Sequence, residues 1–428
     1  MFRNISACVF LLGVFGWAVA TIPSLRDSDW GFLTVRPGAD MFYWLFNTRA
    51  DVRYPQERPL IVWLQGGPGA SSTGHGNFEE IGPLDVDLMM RNFTWVREYN
   101  VLFIDSPVGS GFSHVDNTNL LATDHAQITD DLITFLGIFF EKHPRLALSP
   151  LHIFGESYGG KAAVDLGLAL TKQSSRRSRK ISPESVVLID PWISPMDSMM
   201  SWAPFLFNTG AIDRKGFSAI VADTMKTQEA INRRDFRRAT KLWGETEKTI
   251  QKYTYGVDFY NILKPIPFKS IRKNRFGIQY EEDEARLHDL MNGQIRKALN
   301  IPKKYIWGSQ RQSVFAALAG DFLKSDTDTV ERLLNETDVN VAVITGQLDL
   351  IVATPGTLRW VERLHWPHRN SFLNAERKAI VVNDVHEGYA RKYENLSFYW
   401  ILRAGHMVPR ENPGAMSHIL RAVTDFPQ

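Results

Sequence analysis

The feature that most constrains the fold is a serine between two glycines, placed directly after a short apolar run. Residues 151–154 read LHIF, residues 155–159 read GESYG, and a helix-like segment begins at Lys161. A strand, a Gly-x-Ser-x-Gly turn and a helix in this order put the serine on a sharp, strained corner, where the glycines permit close backbone packing. The sequence therefore predicts that Ser157 is a nucleophile at the edge of an α/β sheet.

Short apolar runs of this kind recur along the chain and alternate with helical patterns. Runs of this length and composition are typical of strands that are buried on both faces. Their alternation with helices predicts an α/β fold with a mostly parallel central sheet flanked by helices. The predicted strands comprise residues 59–64, 101–104, 151–154, 186–189 and 341–344.

Strand signals disappear between about residues 200 and 300. Apolar residues recur there at every third or fourth position, as in residues 235–253, which is typical of amphipathic helices. We interpret residues 21–428 as one α/β domain that carries a helical insertion, or cap, at about residues 200–300. The basic run at residues 176–180 is interpreted as a solvated loop, with a protease-sensitive site as the alternative.

The first twenty residues have the composition of a secretory signal peptide. Arg3 supplies positive charge, residues 8–12 are apolar, and residues 18–20 read AVA, a small-x-small cleavage site. The apolar run is too short to span a bilayer, and the alternative, a buried strand, has no partner before it. We expect residues 1–20 to be removed and the protein to be secreted or lysosomal, without a membrane anchor.

Cysteine content and charge exclude several classes of function. The only cysteine, Cys8, lies in the predicted signal peptide, so the mature chain would have no disulfide, cysteine nucleophile or zinc–thiolate site. The formal net charge of +2 offers no global field for nucleic acid or an anionic membrane. Glycosylation sequons at Asn92, Asn335 and Asn395 fit the secretory route.

A serine nucleophile on such a corner needs a base and an orienting acid, in the chain order Ser, Asp, His. Asp349 follows a predicted strand and turn at residues 341–348, and His406 follows an apolar run at residues 398–405. Both residues come just past strand ends, where a parallel sheet presents its polar groups at one edge. We therefore predict a triad of Ser157, Asp349 and His406.

Two other residues compete for these roles. Asp190 also follows a predicted strand, but Pro191 and the approaching insertion favour a turn residue. His386 lies near Asp384, in a stretch that has no matching glycine turn. Both are therefore weaker candidates than Asp349 and His406.

Acyl transfer also requires hydrogen-bond donors for the developing oxyanion. Residues 65–69 read QGGPG directly after a predicted strand and offer backbone N–H groups that no side chain obstructs. We predict that the N–H groups of Gly67 and Tyr158 form the oxyanion hole. A phosphate-binding loop is the alternative, but the P-loop Lys-Ser/Thr and a GxGxxG pattern are both missing.

Together these motifs resemble those of the serine carboxypeptidase family, over nearly the whole mature chain. The resemblance implies an α/β-hydrolase fold and hydrolysis of single residues from the C-termini of peptides, through an acyl-enzyme on Ser157 with Asp349 and His406. The segments that carry the resemblance are WLQGGPGASS at residues 63–72, FEEIGP at 78–83, DSPVGSGFS at 105–113, GESYGG at 155–160 and AGHMVP at 404–409.

The resemblance also explains the acid beside the nucleophile. In this family the glutamate before the serine, here Glu156, and a second one that aligns with Glu80 recognise the substrate's terminal carboxylate. The residue that matches Gln65 and the backbone of Gly66 assist them, and Met407 lines the pocket of the leaving residue. Two facing carboxyls resist simultaneous ionisation, so one keeps a proton and can donate a hydrogen bond to the substrate.

Three positions need comment in this resemblance. Glu79 competes with its neighbour Glu80, and the Ile-Gly-Pro turn at residues 81–83 favours Glu80. Most of the family has asparagine where Gln65 stands, and a glycine-containing turn where this chain has Asp190-Pro191. None of the predicted catalytic residues lies in that turn.

We expect no cofactor and no metal, and a peptide with a free C-terminus as the substrate. An acyltransferase could use the same triad, and a catalytically silent secreted binding protein could keep the same fold. A lipase or esterase would share the serine corner but has no use for a carboxyl pair. The sequence leaves open the preferred terminal residue, the oligomeric state and cleavage near residues 176–180.

Overall fold

A computed structural model describes residue 25 and residues 28–174, 181–265 and 278–425. The predicted signal peptide at residues 1–20 and the basic run at residues 176–180 lie outside the described residues. One sheet contains the strands β1 (Ser28–Arg36), β2 (Ala39–Phe46), β3 (Leu60–Leu64), β4 (Asn100–Ile104), β5 (His114–Val115), β6 (Leu151–Glu156), β7 (Ser185–Ile189), β8 (Asn340–Gly346), β9 (Lys378–Val382), β10 (Val385–Tyr393) and β11 (Leu396–Ile401).

The strand order across the sheet is β1-β2-β4-β3-β6-β7-β8-β11-β10-β9, and β5 pairs with β2. Within this order, neighbouring strands pair in parallel along β4-β3-β6-β7-β8-β11. Antiparallel strands form both edges of the sheet, with β1 and β2 at one edge and β9 and β10 at the other. The predicted α/β fold with a mostly parallel central sheet is therefore confirmed.

The parallel strands form because their apolar runs can be buried on both faces. Every residue of β3, β4 and β7 is buried. Successive side chains point to opposite faces, so Val62 packs into one core cluster and Trp63 into the other. The five predicted strands begin and end within two residues of the observed ones.

Helices cover both faces of the sheet. Phe135 of the helix His125–Lys142 and Val164 of the helix Gly159–Ser174 contribute to one core cluster, whereas Met416 and Ile419 of the helix Pro413–Thr424 contribute to the other. No helix in the described ranges has the length and apolarity needed to cross a bilayer. The α-helices are α1 (His125–Lys142), α2 (Gly159–Ser174), α3 (Pro195–Asn208), α4 (Arg214–Asn232), α5 (Phe236–Thr254), α6 (Ile278–Leu290), α7 (Arg296–Ala298), α8 (Gln312–Ala317), α9 (Thr327–Glu336), α10 (Thr354–Val361), α11 (Arg369–Asn374), α12 (Val408–Glu411) and α13 (Pro413–Thr424).

Several shorter helical turns connect these elements. The π-helical turns span Ser72–Ile81 and Met291–Ile295. The first of these places Glu79 and Glu80 beside the end of β3. The 3-10 turns span Pro55–Glu57, Trp95–Arg97, Thr118–Leu120, Leu146–Leu148 and Leu318–Gly320.

The longest connection between two strands joins β7 and β8, which are neighbours in the sheet. The chain leaves the sheet after Ile189 and returns at Asn340, and the described part of this segment contains helices and turns but no strand. Asp235 caps α5, because its carboxylate accepts a hydrogen bond from the Arg238 N–H at 3.2 Å. This segment therefore leaves β7 and β8 paired while it adds helices outside the sheet.

Candidate active site

Ser157 lies on the turn between β6 and α2, with a left-handed φ of 57°. Its N–H donates to the Ile189 carbonyl, and its own carbonyl accepts from the Trp192 N–H, each at 2.9 Å. These bonds hold the corner against the end of β7, and the side chain of Ser157 remains partly exposed.

The glycines of GESYG are needed because the corner is crowded. A Cβ on Gly155 would lie 2.3 Å from the Gly159 carbonyl oxygen, and a Cβ on Gly159 would lie 2.2 Å from the Leu64 oxygen. Both distances are shorter than van der Waals contact, so a side chain at either position would displace backbone. The pattern from which we predicted the nucleophile therefore has a steric cause.

His406 and Asp349, which are 57 residues apart in the chain, meet beyond the ends of β11 and β8. His406 Nδ1 lies 2.7 Å from Asp349 Oδ2, and both side chains are buried. The His406 N–H donates to the Tyr260 carbonyl at 2.7 Å, and the Val352 N–H donates to Asp349 Oδ1 at 3.2 Å. The imidazole is thus oriented through Nδ1, which leaves Nε2 available for a proton transfer.

Burial determines the protonation of this pair. It lowers the pKa of His406, although Asp190 and Glu80 oppose that effect, so the imidazole is neutral in the resting protein. Burial also raises the pKa of Asp349 well above its usual range, while the backbone N–H groups of Val352 and Ile351 and a hydrogen bond from Asp190 favour its anion.

Asp190, the rival orienting acid for which the sequence favoured a turn, lies beside this pair. It is fully buried with a φ of 39°, and both of its oxygens accept from the Gly346 N–H, at 3.0 and 3.2 Å. One atom each of Asp190, Asp349 and His406 lie within 4.8 Å of one another. Burial and the neighbouring Asp349 raise the pKa of Asp190 well above its usual range.

The signal for Asp190 was present in the sequence but ambiguous. A carboxyl after a predicted strand suits an active-site edge, yet a turn residue has the same local pattern. Only the strand order, with β7 between β6 and β8, brings Asp190 to Asp349. The other rival, His386, is exposed on the antiparallel strand β10, where its Nε2 lies 2.9 Å from the Gly388 oxygen.

The loop after β3 lies against the nucleophile. A Cβ on Gly66 would come within 2.6 Å of Ser157 Cβ and 3.1 Å of Ser157 Oγ, so only glycine allows this approach. Gly67 follows with a φ of 109°, a conformation that favours glycine. The predicted oxyanion donors therefore lie in this loop, at Gly67, and in the turn directly before α2, at Tyr158.

Glu80, Glu156 and Gln65 form a second buried group next to Ser157. Gln65 Nε2 donates to Glu156 Oε1 at 2.6 Å and to Glu80 Oε1 at 3.1 Å. Gln65 Oε1 accepts from the Trp63 indole N–H at 2.7 Å, which fixes the orientation of the amide. The longer side chain of glutamine, where most of the family has asparagine, thus reaches both carboxyls.

Burial favours the protonated form of both glutamates. Burial and the nearby Glu80 raise the pKa of Glu156 well above its usual range, and burial raises the pKa of Glu80 as well. Within the described chain, the Oε2 atoms of both residues are buried and have no hydrogen-bond partner. Because buried polar atoms are nearly always satisfied, these two oxygens suit contact with a polar ligand.

Glu79 contacts different residues from those that its neighbour Glu80 contacts. Its carboxylate lies 2.8 Å from His75 Nδ1 and 4.0 Å from Arg410. Although burial raises it, His75 and Arg410 hold the pKa of Glu79 below its usual value, so this residue is ionised. Met407 is partly exposed directly after His406, where it precedes α12.

The three sequons differ in their surroundings. Asn92 is exposed. The side-chain nitrogen of Asn335 donates to the carbonyls of Glu331 and His365 at 2.7 and 2.9 Å, and that of Asn395 donates to the Leu334 carbonyl at 3.1 Å. Asn92 and Asn335 are thus both exposed, and in the described chain Asn92 is the one of the three sequons with no recorded side-chain hydrogen bond.

Comparison with known proteins identifies relatives over almost the full chain. A family profile described as serine carboxypeptidase matches residues 21–425. The chain is 42% identical to retinoid-inducible serine carboxypeptidase of Rattus norvegicus, over 97% of this chain and 95% of that protein. It is 38% identical to serine carboxypeptidase-like 51 of Arabidopsis thaliana, over 96% and 95% of the two chains.

A solved structure shows the same fold. Kex1(delta)p, a prohormone-processing carboxypeptidase from Saccharomyces cerevisiae, superimposes with a TM-score of 0.82 and 22% identity, over 94% of this chain and 92% of that one. The resemblance inferred from the motifs is therefore confirmed, both in the sequence comparison and in the architecture.

Proposed function

The chain belongs to the serine carboxypeptidase family and is a serine-type peptidase, and from this premise we propose that Ser157, His406 and Asp349 form its catalytic triad. The observation that carries the proposal is the glutamate pair bridged by Gln65 beside the nucleophile. An endopeptidase or a neutral-ester hydrolase has no use for a proton-sharing carboxyl pair at this position. A peptidase that removes C-terminal residues needs it to recognise a carboxylate.

In acylation, Ser157 Oγ attacks the carbonyl carbon of the last peptide bond while His406 Nε2 takes the hydroxyl proton. The N–H groups of Gly67 and Tyr158 stabilise the oxyanion of the tetrahedral intermediate. When the C–N bond breaks, His406 returns the proton to the leaving amine, and the terminal amino acid departs. Water then attacks the acyl-enzyme through the same proton transfers and regenerates the Ser157 hydroxyl.

Glu156 and Glu80 position the substrate for that attack. The shared proton is donated to one carboxylate oxygen of the substrate, and the Gln65 amide and the Gly66 N–H serve as further donors. A buried charge-assisted hydrogen bond contributes about 1.5–3 kcal/mol, whereas two ionised glutamates would repel the substrate. The partly exposed Met407 lines the pocket that receives the side chain of the leaving residue.

Asp190 stabilises the ionised form of Asp349. Its protonated carboxyl donates to Asp349 and so favours the Asp349 anion, which in turn holds His406 in the tautomer that leaves Nε2 as a base. Asp190 thereby offsets part of the penalty that burial imposes on a charged Asp349. We assign Asp190 as a positioning residue.

We also propose that the chain enters the secretory pathway and is secreted or delivered to a lysosome. The signal-like composition of residues 1–20 and the accessible sequon at Asn92 support this route. Treatment of the protein from culture medium with an N-glycosidase should lower its apparent mass, and Asn92→Gln should remove part of that shift.

The function is tested with an N-blocked dipeptide and its C-terminal amide, at mildly acidic pH. The unmodified protein should cleave only the free acid, and Ser157→Ala should cleave neither. Equal cleavage of acid and amide would leave the triad intact but contradict the role of the glutamate pair. No cleavage of either, with acyl transfer to an added amine or alcohol instead, would identify an acyltransferase.

A further inference from the structure

A second cluster of buried polar side chains lies against the ring of Tyr158. The ring centroids of His125 and Tyr158 are 4.9 Å apart, and the two residues are 8% and 3% exposed. His125 begins α1, Asp165 lies on α2, and Asp326 precedes α9. The cluster is outside the proposed triad and the glutamate pair, so the mechanism does not require it.

The donor atoms of this cluster are close enough to share one ion. A ring nitrogen of His125 and one oxygen each of Asp165 and Asp326 all lie within 4.8 Å of one another. Asp165 Oδ2 is 3.7 Å from His125 Nδ1, and Asp326 Oδ2 is 4.0 Å from Nε2. A tetrahedral ion with bonds of about 2.0–2.2 Å holds its ligands ~3.3 Å apart, so modest side-chain movements would complete such a site.

Several of these atoms are buried without a partner. Both ring nitrogens of His125, Asp326 Oδ2 and the Tyr158 hydroxyl have no hydrogen-bond partner among the described residues. Buried polar atoms are nearly always satisfied, by protein, by water or by an ion. His125 in particular is more than nine-tenths buried, and each of its ring nitrogens has a carboxylate oxygen within 4 Å.

A third carboxylate favours one orientation of the imidazole. Asp321 Oδ2 lies 3.2 Å from His125 Nε2 but is not aligned for a hydrogen bond; a rotation of the ring that aligned an Nε2 proton with Asp321 would leave the Nδ1 lone pair for an ion. Histidine ligands of metals usually have such a carboxylate on their second nitrogen. Asp321 therefore suits a supporting role behind His125.

The charges in the cluster leave room for a cation. Lys161 Nζ donates to the carbonyls of Phe322 and Lys324 and lies 3.7 Å from Asp326 Oδ2. The Lys324 ammonium lies 2.7 Å from Asp321 Oδ1, on the opposite oxygen from His125. Two ammonium groups thus face three carboxyls, and both ammonium groups have partners outside the proposed ligand set.

We propose that His125, Asp165 and Asp326 form a binding site for a divalent transition-metal ion of the zinc class. One imidazole nitrogen with carboxylate oxygens is a donor set typical of Zn²⁺ or Co²⁺, whereas Ca²⁺ and Mg²⁺ prefer oxygen donors alone. A bound ion would link α1 and α2 to the segment before α9, next to the Tyr158 ring. The site stabilises the fold and takes no part in the acyl transfer.

The test uses the full-length protein, freed of metal with a chelator and titrated with Zn²⁺ by calorimetry. We expect one Zn²⁺ per chain and a melting temperature about 3 °C higher with saturating metal. His125→Gln and Asp326→Asn should each weaken binding by at least ~10-fold. His365→Gln is the matched control, because His365 forms a similar pair with Glu331, at 2.9 Å, on the exposed surface, and should bind Zn²⁺ like the unmodified protein.

Two results would overturn the proposal. One is Zn²⁺ binding that His125→Gln leaves unchanged, and the other is no saturable binding by the unmodified protein at millimolar Zn²⁺, as expected if ordered water satisfies these atoms. Peptide cleavage by the metal-free variants reports whether they fold. If they do not fold, Co²⁺ is added to the unmodified protein instead. A tetrahedral site of histidine and carboxylate ligands gives visible d–d absorption, and no such absorption would contradict the proposed site.

Discussion

The side-chain nitrogen of Gln65 lies 2.6 Å from the carboxylate of Glu156, the residue directly before the nucleophile. This contact joins the loop after β3 to the end of β6 and holds the glutamate in position before any substrate arrives. The same nitrogen also contacts Glu80. In the proposed function, this group recognises the substrate carboxylate beside Ser157, which would link the choice of substrate terminus to the position of attack.

The pH dependence of turnover should follow the shared proton of Glu156 and Glu80. Because the pKa of Glu156 is raised, its protonated form is present below that raised pKa and is lost as the pH rises through it. The lowered pKa of His406 keeps the base neutral into mildly acidic solution. We expect kcat/KM for free-acid peptides to be highest at acidic pH and to fall toward alkaline pH; a flat profile would contradict this assignment.

Replacing the glutamate pair should separate carboxylate recognition from chemistry. Glu80→Gln and Glu156→Gln should each lower kcat/KM for an N-blocked dipeptide by about 10–100-fold, because an amide N–H replaces the stronger carboxylic O–H donor to the substrate carboxylate. Activity on an activated neutral ester should change much less. Glu79→Gln is the matched control, because Glu79 pairs with His75 instead, and a loss equal to that of Glu80→Gln would show that we chose the wrong glutamate.

Asp349→Asn should lower kcat by about 10³–10⁴-fold, because an amide donates to His406 Nδ1 and favours the wrong tautomer. The melting temperature should change little, since the amide has nearly the same volume as the carboxyl. Residual activity within tenfold of the unmodified protein would mean that Asp190 can orient His406 by itself.

Asp190 should tolerate an amide but not an apolar side chain. Asp190→Asn keeps a neutral donor to Asp349, so we expect kcat to remain within about fivefold, whereas Asp190→Ala should lower kcat about 10–100-fold with little change in KM. The alkaline limb of the pH profile should stay in place in Asp190→Asn. If both variants lose activity equally, the proton on Asp190 has no role in positioning the triad.

The serine corner should not accept any side chain at Gly155. Gly155→Ala would place a Cβ 2.3 Å from the Gly159 oxygen, and we expect it to lower the free energy of unfolding by about 3 kcal/mol or more and to abolish activity. Gly137→Ala in α1 is the control, because its Cβ would meet no described atom within 4 Å. That change should raise stability by about 0.5–1 kcal/mol in urea denaturation.

Much of the fold and part of the site follow from local sequence patterns. The apolar runs predict the parallel strands because a strand buried on both faces must be apolar at every position. The glycines of GESYG predict the sharp turn at Ser157. The atoms that exclude a side chain at Gly155 and Gly159 belong to residues nearby in the chain or to the adjoining loop. The order of Ser157, Asp349 and His406 likewise follows from the strands that precede them.

Contacts between distant residues depended on the tertiary structure. Asp190 looked like a turn residue until the strand order placed β7 beside β8, and the reach of Gln65 depended on how the loop after β3 packs on β6. The cluster of His125, Asp165 and Asp326 has no sequence signature at all, because its members come from three separate helical segments. Local patterns determine which elements form, whereas the meeting of polar side chains is decided by how those elements pack, which no short stretch of sequence encodes.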